Sequence, residues 1–211
     1  MEIVEVRKKR PGRPPKEDAA RSESRKKLIR VGLELLTEKG FTTTGLDEML
    51  RRVGIPKGSF YHYFDSKEAF GSELIDSYAV YFARKLEYFF EDESLSPLNR
   101  IAAFAQDAEN NMARFDYKRG CLVGNLGQEM NTLPEPFRYK LKGIFEDWQR
   151  RCAKCLREAQ NVGEIPAHVD PDRTAAVFWI GWEGAVLRAK LEQGPEPLRF
   201  FLEFFLHAIK K

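Results

Sequence analysis

Three observations predict an all-α fold. Apolar residues recur at three- and four-residue spacing along most of the chain. No run alternates apolar and polar residues long enough to claim a strand. Glycine, proline and small polar residues cut the pattern into segments of helical length, about nine of them.

Each segment has its own start and stop. A cap at Ser24 or a neighbour opens a helix whose stripe runs through Leu28, Ile29, Gly32, Leu35 and Leu36, and Gly40 stops it. Thr43 and Thr44 precede a short helix, Leu46–Val53, closed by Gly54; Pro56 leads into a third, Lys57–Phe64. Ser66 caps a fourth that carries Leu74, Ile75, Tyr78, Phe82 and Leu86, long enough to join a small N-terminal module rigidly to the C-terminal helices. Ser96-Pro97 puts proline at the first position of a fifth, continued by Ile101, Phe104, Ala105, Ala108 and Met112. A sixth begins near Cys121 and runs to Met130. Pro134 or Pro136 opens a seventh through Phe145, Trp148, Cys152 and Leu156, fading by Gly163. Asp170-Pro171 begins an eighth with Phe178, Trp179, Trp182 and Leu187, which Gly194-Pro-Glu-Pro197 breaks, and Leu198 to Ile209 forms the last.

Composition narrows the function. The 211 residues are 43% hydrophobic and 32% charged, which excludes a disordered tail. No apolar run approaches the roughly 18 residues of a membrane span, so no membrane partner is expected. Met1-Glu-Ile-Val-Glu carries acid where a signal peptide would carry base, and three cysteines are too few for a disulfide scaffold; a reducing cytoplasm is the expected setting. The net charge of +3 conceals an asymmetry. Residues 1–67 hold 16 basic against 10 acidic side chains, while the remainder holds 19 against 22. A polyanion partner is therefore expected for the first part only.

The sharpest basic piece is Arg7-Lys-Lys-Arg-Pro-Gly-Arg-Pro-Pro-Lys16. Its prolines exclude a helix, so residues 1–21 are expected to form an extended arm. Read alone it is a solvated N-terminus. With a DNA-binding unit behind it, Arg10, Arg13 and Lys16 become candidate DNA contacts, because the Pro-Gly-Arg-Pro core resembles an AT-hook that slides arginine into a narrow minor groove.

That unit is residues 44–64, which fit a helix-turn-helix: two short helices flank a tight turn at Gly54-Ile55-Pro56. Ile55 can plug the space between them, with Met49, Leu50 and Val53 on the inner face. The second helix of such a unit lies in the major groove. Gly58 and Ser59 let its backbone approach base edges, and Lys57 reaches a phosphate or a guanine. Tyr61, His62 and Tyr63 offer donors for phosphate oxygens, as does Lys67 at the next helix start, and Thr43 is a further candidate DNA contact. Phe60 and Phe64, one turn apart, read as core.

Phe41-Thr-Thr-Thr-Gly-Leu-Asp-Glu-Met-Leu followed by Val-Gly-Ile-Pro-Lys-Gly-Ser-Phe-Tyr-His-Tyr-Phe-Asp-Ser-Lys-Glu-Ala-Phe70 closely resembles the DNA-binding domain of TetR-family transcriptional regulators. The resemblance implies that the third helix reads bases of a palindromic double-stranded operator, that Thr44, Tyr61, His62 and Lys67 hold phosphates, and that Lys57 lies at the groove. It also implies a homodimer whose last two helices pair into a four-helix bundle, and an inducer pocket in the C-terminal domain. The expected division is an arm (1–21), a DNA-binding domain (22–70) and a ligand-binding and dimerisation domain (71–211).

Arg119-Gly-Cys-Leu-Val-Gly-Asn-Leu-Gly-Gln-Glu129 and Phe178-Trp-Ile-Gly-Trp-Glu-Gly-Ala-Val-Leu-Arg-Ala-Lys190 resemble a narrower group of the family. Its members release DNA on binding or reacting with acrylate-type or other electrophilic compounds. In part of that group a sensing cysteine and a lysine, at positions matching Cys121 and Lys190, become linked on oxidation. The residues themselves suggest a reason: Cys121 follows Gly120 at a helix start, where N–H groups, Arg119 and Lys118 would favour a thiolate. A buried, inert thiol is the alternative. Sensing candidates are Cys121, Asn125, Trp148, Trp179, Trp182, Glu183, Arg188 and Lys190, with the tryptophans as pocket wall and bundle packing and Arg188 or Lys190 as counter-charge to a carboxylate.

No cofactor or metal is expected. Cys152 and Cys155 lie inside a helix with no further ligands at zinc spacing. Two other classes remain open on sequence: an enzyme with Cys121 as nucleophile, for which His62, His168 and His207 supply no evident base, and a nucleoid-type binder that uses only the arm.

Overall fold

A computed structural model describes residues 16–210, with side chains from Arg21 onward. Among these residues there are nine helices and no strand: α1 (Lys16–Lys39), α2 (Leu46–Val53), α3 (Lys57–Phe60), α4 (Lys67–Phe90), α5 (Pro97–Arg114), α6 (Leu122–Gln128), α7 (Glu135–Asn161), α8 (Pro171–Glu192) and α9 (Glu196–Ile209). Arg10, Arg13 and the side chain of Lys16 lie outside the described residues.

Two helix boundaries differ from expectation by four residues or more. α1 begins at Lys16 rather than near Ser24. α3 ends at Phe60 rather than Phe64. The N–H groups of His62 and Tyr63 turn back to the carbonyls of Ser59 (3.1 Å) and Phe60 (2.9 Å), tightening the chain before it reverses into α4.

α1, α2, α3 and the first turns of α4 make a small head. Gly54 ends α2 at φ +74°, a left-handed position that glycine takes without strain, and donates to the Leu50 carbonyl at 2.9 Å. Phe60, Phe64 and Phe70 pack with ring centroids 4.6 to 5.6 Å apart, so Phe60 and Phe64 are core. Ser66 caps α4 by accepting from the Ala69 N–H at 3.0 Å.

α4 runs out of the head into the body. Phe70, Leu74 and Ile75 are buried near its start, Tyr78, Leu86 and Phe90 further along. α4, α5, α7, α8 and α9 enclose an aromatic core in which Trp148 lies 4.3 Å from Phe82 and 4.9 Å from Trp179, ring to ring. Buried Arg100 has partners: it donates to the Phe90 and Leu95 carbonyls at 3.1 Å and pairs with Glu158 at 2.5 Å. Along one side of α8 and α9, Val177, Ile180, Leu187, Leu191, Phe200 and Phe204 stand exposed.

Candidate functional site

The head presents one face and hides another. Lys57, Gly58, Tyr61 and His62 are exposed around α3, and nothing lies within 4 Å of the position a Gly58 Cβ would take. The Lys57 ammonium rests 3.0 Å from Asp47, a surface pair that solvent keeps weak. Ser59 and Tyr63 are half-buried at its edge. Thr44 departs from its expected role: it is buried, and its hydroxyl donates to the Gly40 carbonyl at 2.5 Å. Thr43 is exposed but spends its hydroxyl proton on the Lys39 carbonyl. Both shape the corner rather than offer a free donor. Lys67 is drawn over the Phe41 ring (4.6 Å) and donates to the Phe41 carbonyl at 3.2 Å. Arg21, which sequence reasoning did not single out, donates to the His62 carbonyl at 2.6 Å and ties α1 to the turn that follows α3.

In the body, a cavity of about 290 Å³ opens between α1, α4, α5 and α8. Phe82, Phe104, Met112, Phe115 and Trp182 give it an apolar wall; Glu34, Lys85, Arg119, Cys121 and Glu183 give it polar corners. A second cavity of about 270 Å³ shares Gly120, Cys121, Glu183 and Val186, and adds Asn125 and Lys190. Cys121 and Glu183 thus form a common wall.

The chemistry of that wall differs from the expected thiolate. Cys121 is buried at the N-cap of α6, where its sulfur accepts from the Gly124 N–H at 3.4 Å and from the Tyr78 hydroxyl at 3.8 Å. Arg119 turns instead onto the Phe115 ring (4.1 Å) and toward Glu34 (3.4 Å), and Lys118 pairs with Asp116. Burial, reinforced by the Glu183 carboxyl beside it, pushes the Cys121 thiol well above its ordinary range, so the resting group is S–H. Tyr78 is raised likewise, first by burial and then by Cys121 and Glu183.

Glu183 is raised to about 7 by burial, although the hydrogen bond with Cys121 pulls the other way. Between its ordinary value and about 7 the folded chain holds a proton that the unfolded chain does not, so stability falls as pH rises through that window. Glu183→Gln is expected to melt above the parent at pH ~8, with the gap closing below pH ~5; calorimetry at both pH values checks this, and a pH-independent gap would contradict it.

The other sensing candidates separate. Asn125 and Lys190 line the second cavity, and Trp182 the first. Trp148 and Trp179 are buried behind Phe82 and Phe104 and line neither. Arg188 is a correction. It is exposed, pairs with Glu192 and reaches neither cavity, because the helical rotation carries it to the solvent side of α8. The cations in the first cavity are Lys85 and Arg119. Cys152 and Cys155 are buried in α7; burial pushes Cys155 up to about 12, and its thiol donates to the Pro97 carbonyl at 3.3 Å.

α6 connects cavity and head. Cys121, Asn125 and Glu129 succeed one another at four-residue spacing, one side of the helix. Asn125 donates to the Leu36 and Thr37 carbonyls at 3.0 and 2.8 Å, and the Gly120 N–H to Thr37 at 2.9 Å. Lys190 donates to the Glu38 carbonyl at 2.7 Å. The bonds to Thr37 and Glu38 take up orphan carbonyls at the C-terminus of α1, while the Leu36 carbonyl also accepts from the Gly40 N–H at 3.1 Å. Glu129 accepts from the Phe41 and Thr42 N–H groups at 3.1 and 2.7 Å, and its carboxylate occupies the space a side chain at Gly40 (φ +82°) would need. Glu129 was missed in the sequence because only tertiary packing brings it to Gly40.

Among the described residues no cluster of His, Cys, Asp or Glu could hold a metal, and no helix is long and apolar enough to cross a membrane. Comparison with known proteins agrees with the geometry. Residues 28–74 match the pattern of bacterial regulatory proteins of the tetR family, and residues 97–205 that of the tetracyclin repressor-like C-terminal domain. The chain is 55% identical to the transcriptional regulator AcuR of Cereibacter sphaeroides, over 94% of this chain and 90% of that one. A crystal structure of regulatory protein TetR from Rhodobacter sphaeroides, 55% identical, superposes with a TM-score of 0.86 over 88% of this chain and 98% of that one. The reduced form of Escherichia coli NemR, 29% identical, gives 0.81 over 90% and 97%. These relatives are transcriptional regulators rather than enzymes, and the chain belongs to the TetR family of bacterial regulators.

Proposed function

We propose that this DNA-binding transcriptional repressor works as a homodimer on a palindromic operator and lets go when acrylate, or a related electrophilic compound, enters the cavity at Cys121. The observation that carries the reading is the α6 connection: the helix whose cap is a cavity wall also holds the end of α1 and the corner leading to α2. A ligand that moves Cys121 or Glu183 moves Asn125 and Glu129 with it. The head then tilts, and two recognition helices that must match successive turns of DNA no longer do. A coupling of about 1–3 kcal/mol suffices for a 5–150-fold loss of affinity. Arg119 and Lys85 are the counter-charges for a carboxylate.

Operator release by sodium acrylate and by neutral acrylamide, monitored by fluorescence anisotropy, tests this. Release by neither, with binding intact, would remove the acrylate reading. A second reading, covalent modification of Cys121, is supported by the place of the thiol on the wall shared by both cavities. Cys121→Ser separates the two: it abolishes release by acrylamide if the bond is covalent, and spares release by acrylate if binding is reversible.

On DNA, Tyr61→Ala is expected to weaken operator and random DNA alike, since a phosphate contact carries no sequence information. A loss confined to the operator would give Tyr61 a base-reading role. The arm contributes counterion release: deleting residues 1–16 should lower the slope of log affinity against log salt by up to about 5. An unchanged slope would leave the arm as solvated chain.

A further inference from the structure

The wall shared by the two cavities holds more than a cysteine. Three ionisable side chains from three elements meet there: Cys121 at the cap of α6, Tyr78 from α4 and Glu183 from α8. The Tyr78 hydroxyl points its proton at the sulfur, and Glu183 lines both cavities beside Cys121, the two side chains flanking the same point at Gly124. The chain makes room for that carboxyl. A Cβ on Gly124 would stand 2.0 Å from Glu183 Oε2, so only glycine on this turn of α6 lets Glu183 lie against the cysteine.

A buried S–H is a poor nucleophile, because the thiolate is the reacting species. A carboxylate beside it can take the proton as the sulfur attacks. We propose that Glu183 is the proton acceptor for addition of Cys121 to a neutral α,β-unsaturated carbonyl compound held in the 290 Å³ cavity. The proposal rests on the reading that small electrophiles enter this cavity. In the step, the S–H bond breaks and its proton passes to Glu183. The sulfur lone pair forms a bond to the β-carbon, and the alkene electrons move to the α-carbon and carbonyl oxygen. Glu183 then returns the proton to the α-carbon. One S–H and one C=C become one S–C and one C–H, and no oxidant is consumed. The Tyr78 hydroxyl and the Gly124 N–H steady the sulfur while it carries charge.

The surroundings leave Glu183 as the group poised for this. α1 contributes Glu34 to the cavity, held by Arg119; α4 contributes Lys85, held by Asp107. Lys190, in the second cavity, is held on the Glu38 carbonyl. α5 and α7 face the two cavities with uncharged side chains. With its carboxyl raised to about 7, Glu183 gains and loses its proton near neutral pH, where a general base is most effective.

Acrylamide is the probe, and adduct formation at Cys121 is timed by intact-mass and peptide spectrometry between pH ~6 and ~9. In the full-length parent the rate should climb to a plateau with a midpoint near Glu183's own titration. Glu183→Gln should slow the reaction on the order of 100-fold at neutral pH and replace the plateau by a rise that continues into the alkaline range. Gly124→Ala, which pushes the carboxyl away while leaving the thiol, should slow it in the same direction. Parent-like rates and profile in both variants overturn the proposal. So does a parent whose Cys121 stays unmodified while acrylate still releases the operator, and that result leaves the repressor reading intact. A Glu183-dependent adduct that leaves the operator bound does the reverse: the proton acceptor stands and the release reading falls.

Discussion

With Ile180 and Phe204 both replaced by glutamate, the chain is expected to sediment as a monomer and to lose operator affinity by about 100-fold or more. Ile180 and Phe204 are 75% and 73% exposed, and with Leu191 (75%) and Phe200 (68%) they form an apolar strip along α8 and α9. Side chains of this size each contribute about 1.5–3 kcal/mol when covered, so the strip is a strong drive to pair with a second copy. In a two-fold interface every substitution occurs twice, and each glutamate would be buried opposite apolar groups without a partner charge. Once the copies separate, the second head no longer benefits from the high local concentration set by the first. Sedimentation velocity and anisotropy on operator and half-operator DNA check this: half-site affinity should stay unchanged. A variant that still sediments as a dimer would place the interface elsewhere.

The second large effect is on the response rather than on DNA binding. Asn125→Ala combined with Glu129→Ala is expected to retain operator affinity within a few-fold while operator release by the same ligand concentration drops about 10-fold or more. The double variant removes four hydrogen bonds, those to the Leu36 and Thr37 carbonyls and to the Phe41 and Thr42 N–H groups. Bonds of this kind contribute about 0.5–1.5 kcal/mol each, more to a charged carboxylate, which is the size of a typical coupling energy. Glycine at 40 keeps the corner's geometry in the variant, and Gly120 and Lys190 still hold part of α1. Ligand titrations of operator release, beside thermal shifts that report ligand binding itself, separate lost coupling from lost binding. An unaltered release curve would remove α6 from the path.

The helices could be read in the sequence because their punctuation is local. Gly40, Gly54, Ser66, Ser96-Pro97 and Asp170-Pro171 act within a turn of their own positions, and each works as expected. The start of α1 was misplaced because a serine side chain is only one way to begin a helix. Exposure was legible next to the turn, as at Lys57, Gly58 and Tyr61. It was misread at Thr44, whose hydroxyl serves a carbonyl four residues back. The cavity was half legible. Cys121, Trp182 and Glu183 line it. Arg188 does not, because neighbours in sequence point apart on a helix. For the Cys121 thiol, the helix start argued one way and burial the other; burial prevailed, since the nearby cations had partners of their own.

The early start of α1 has a mechanical consequence. Its C-terminal carbonyls are gripped from the body, while Arg21 near the other end grips the turn that follows α3 at the His62 carbonyl. From Arg21 to Thr37 the helix spans about 24 Å, so a tilt of about 5° at the gripped end sweeps the far end by about 2 Å. Such a sweep compares with the length of a hydrogen bond, the scale on which the proposed phosphate contacts would be lost. In the proposed mechanism a rigid rod pivoted at one end gears a small displacement at the cavity up into a larger one at the DNA. Had the helix begun at Ser24, the rod would end short of Arg21 and that turn would ride on loop instead.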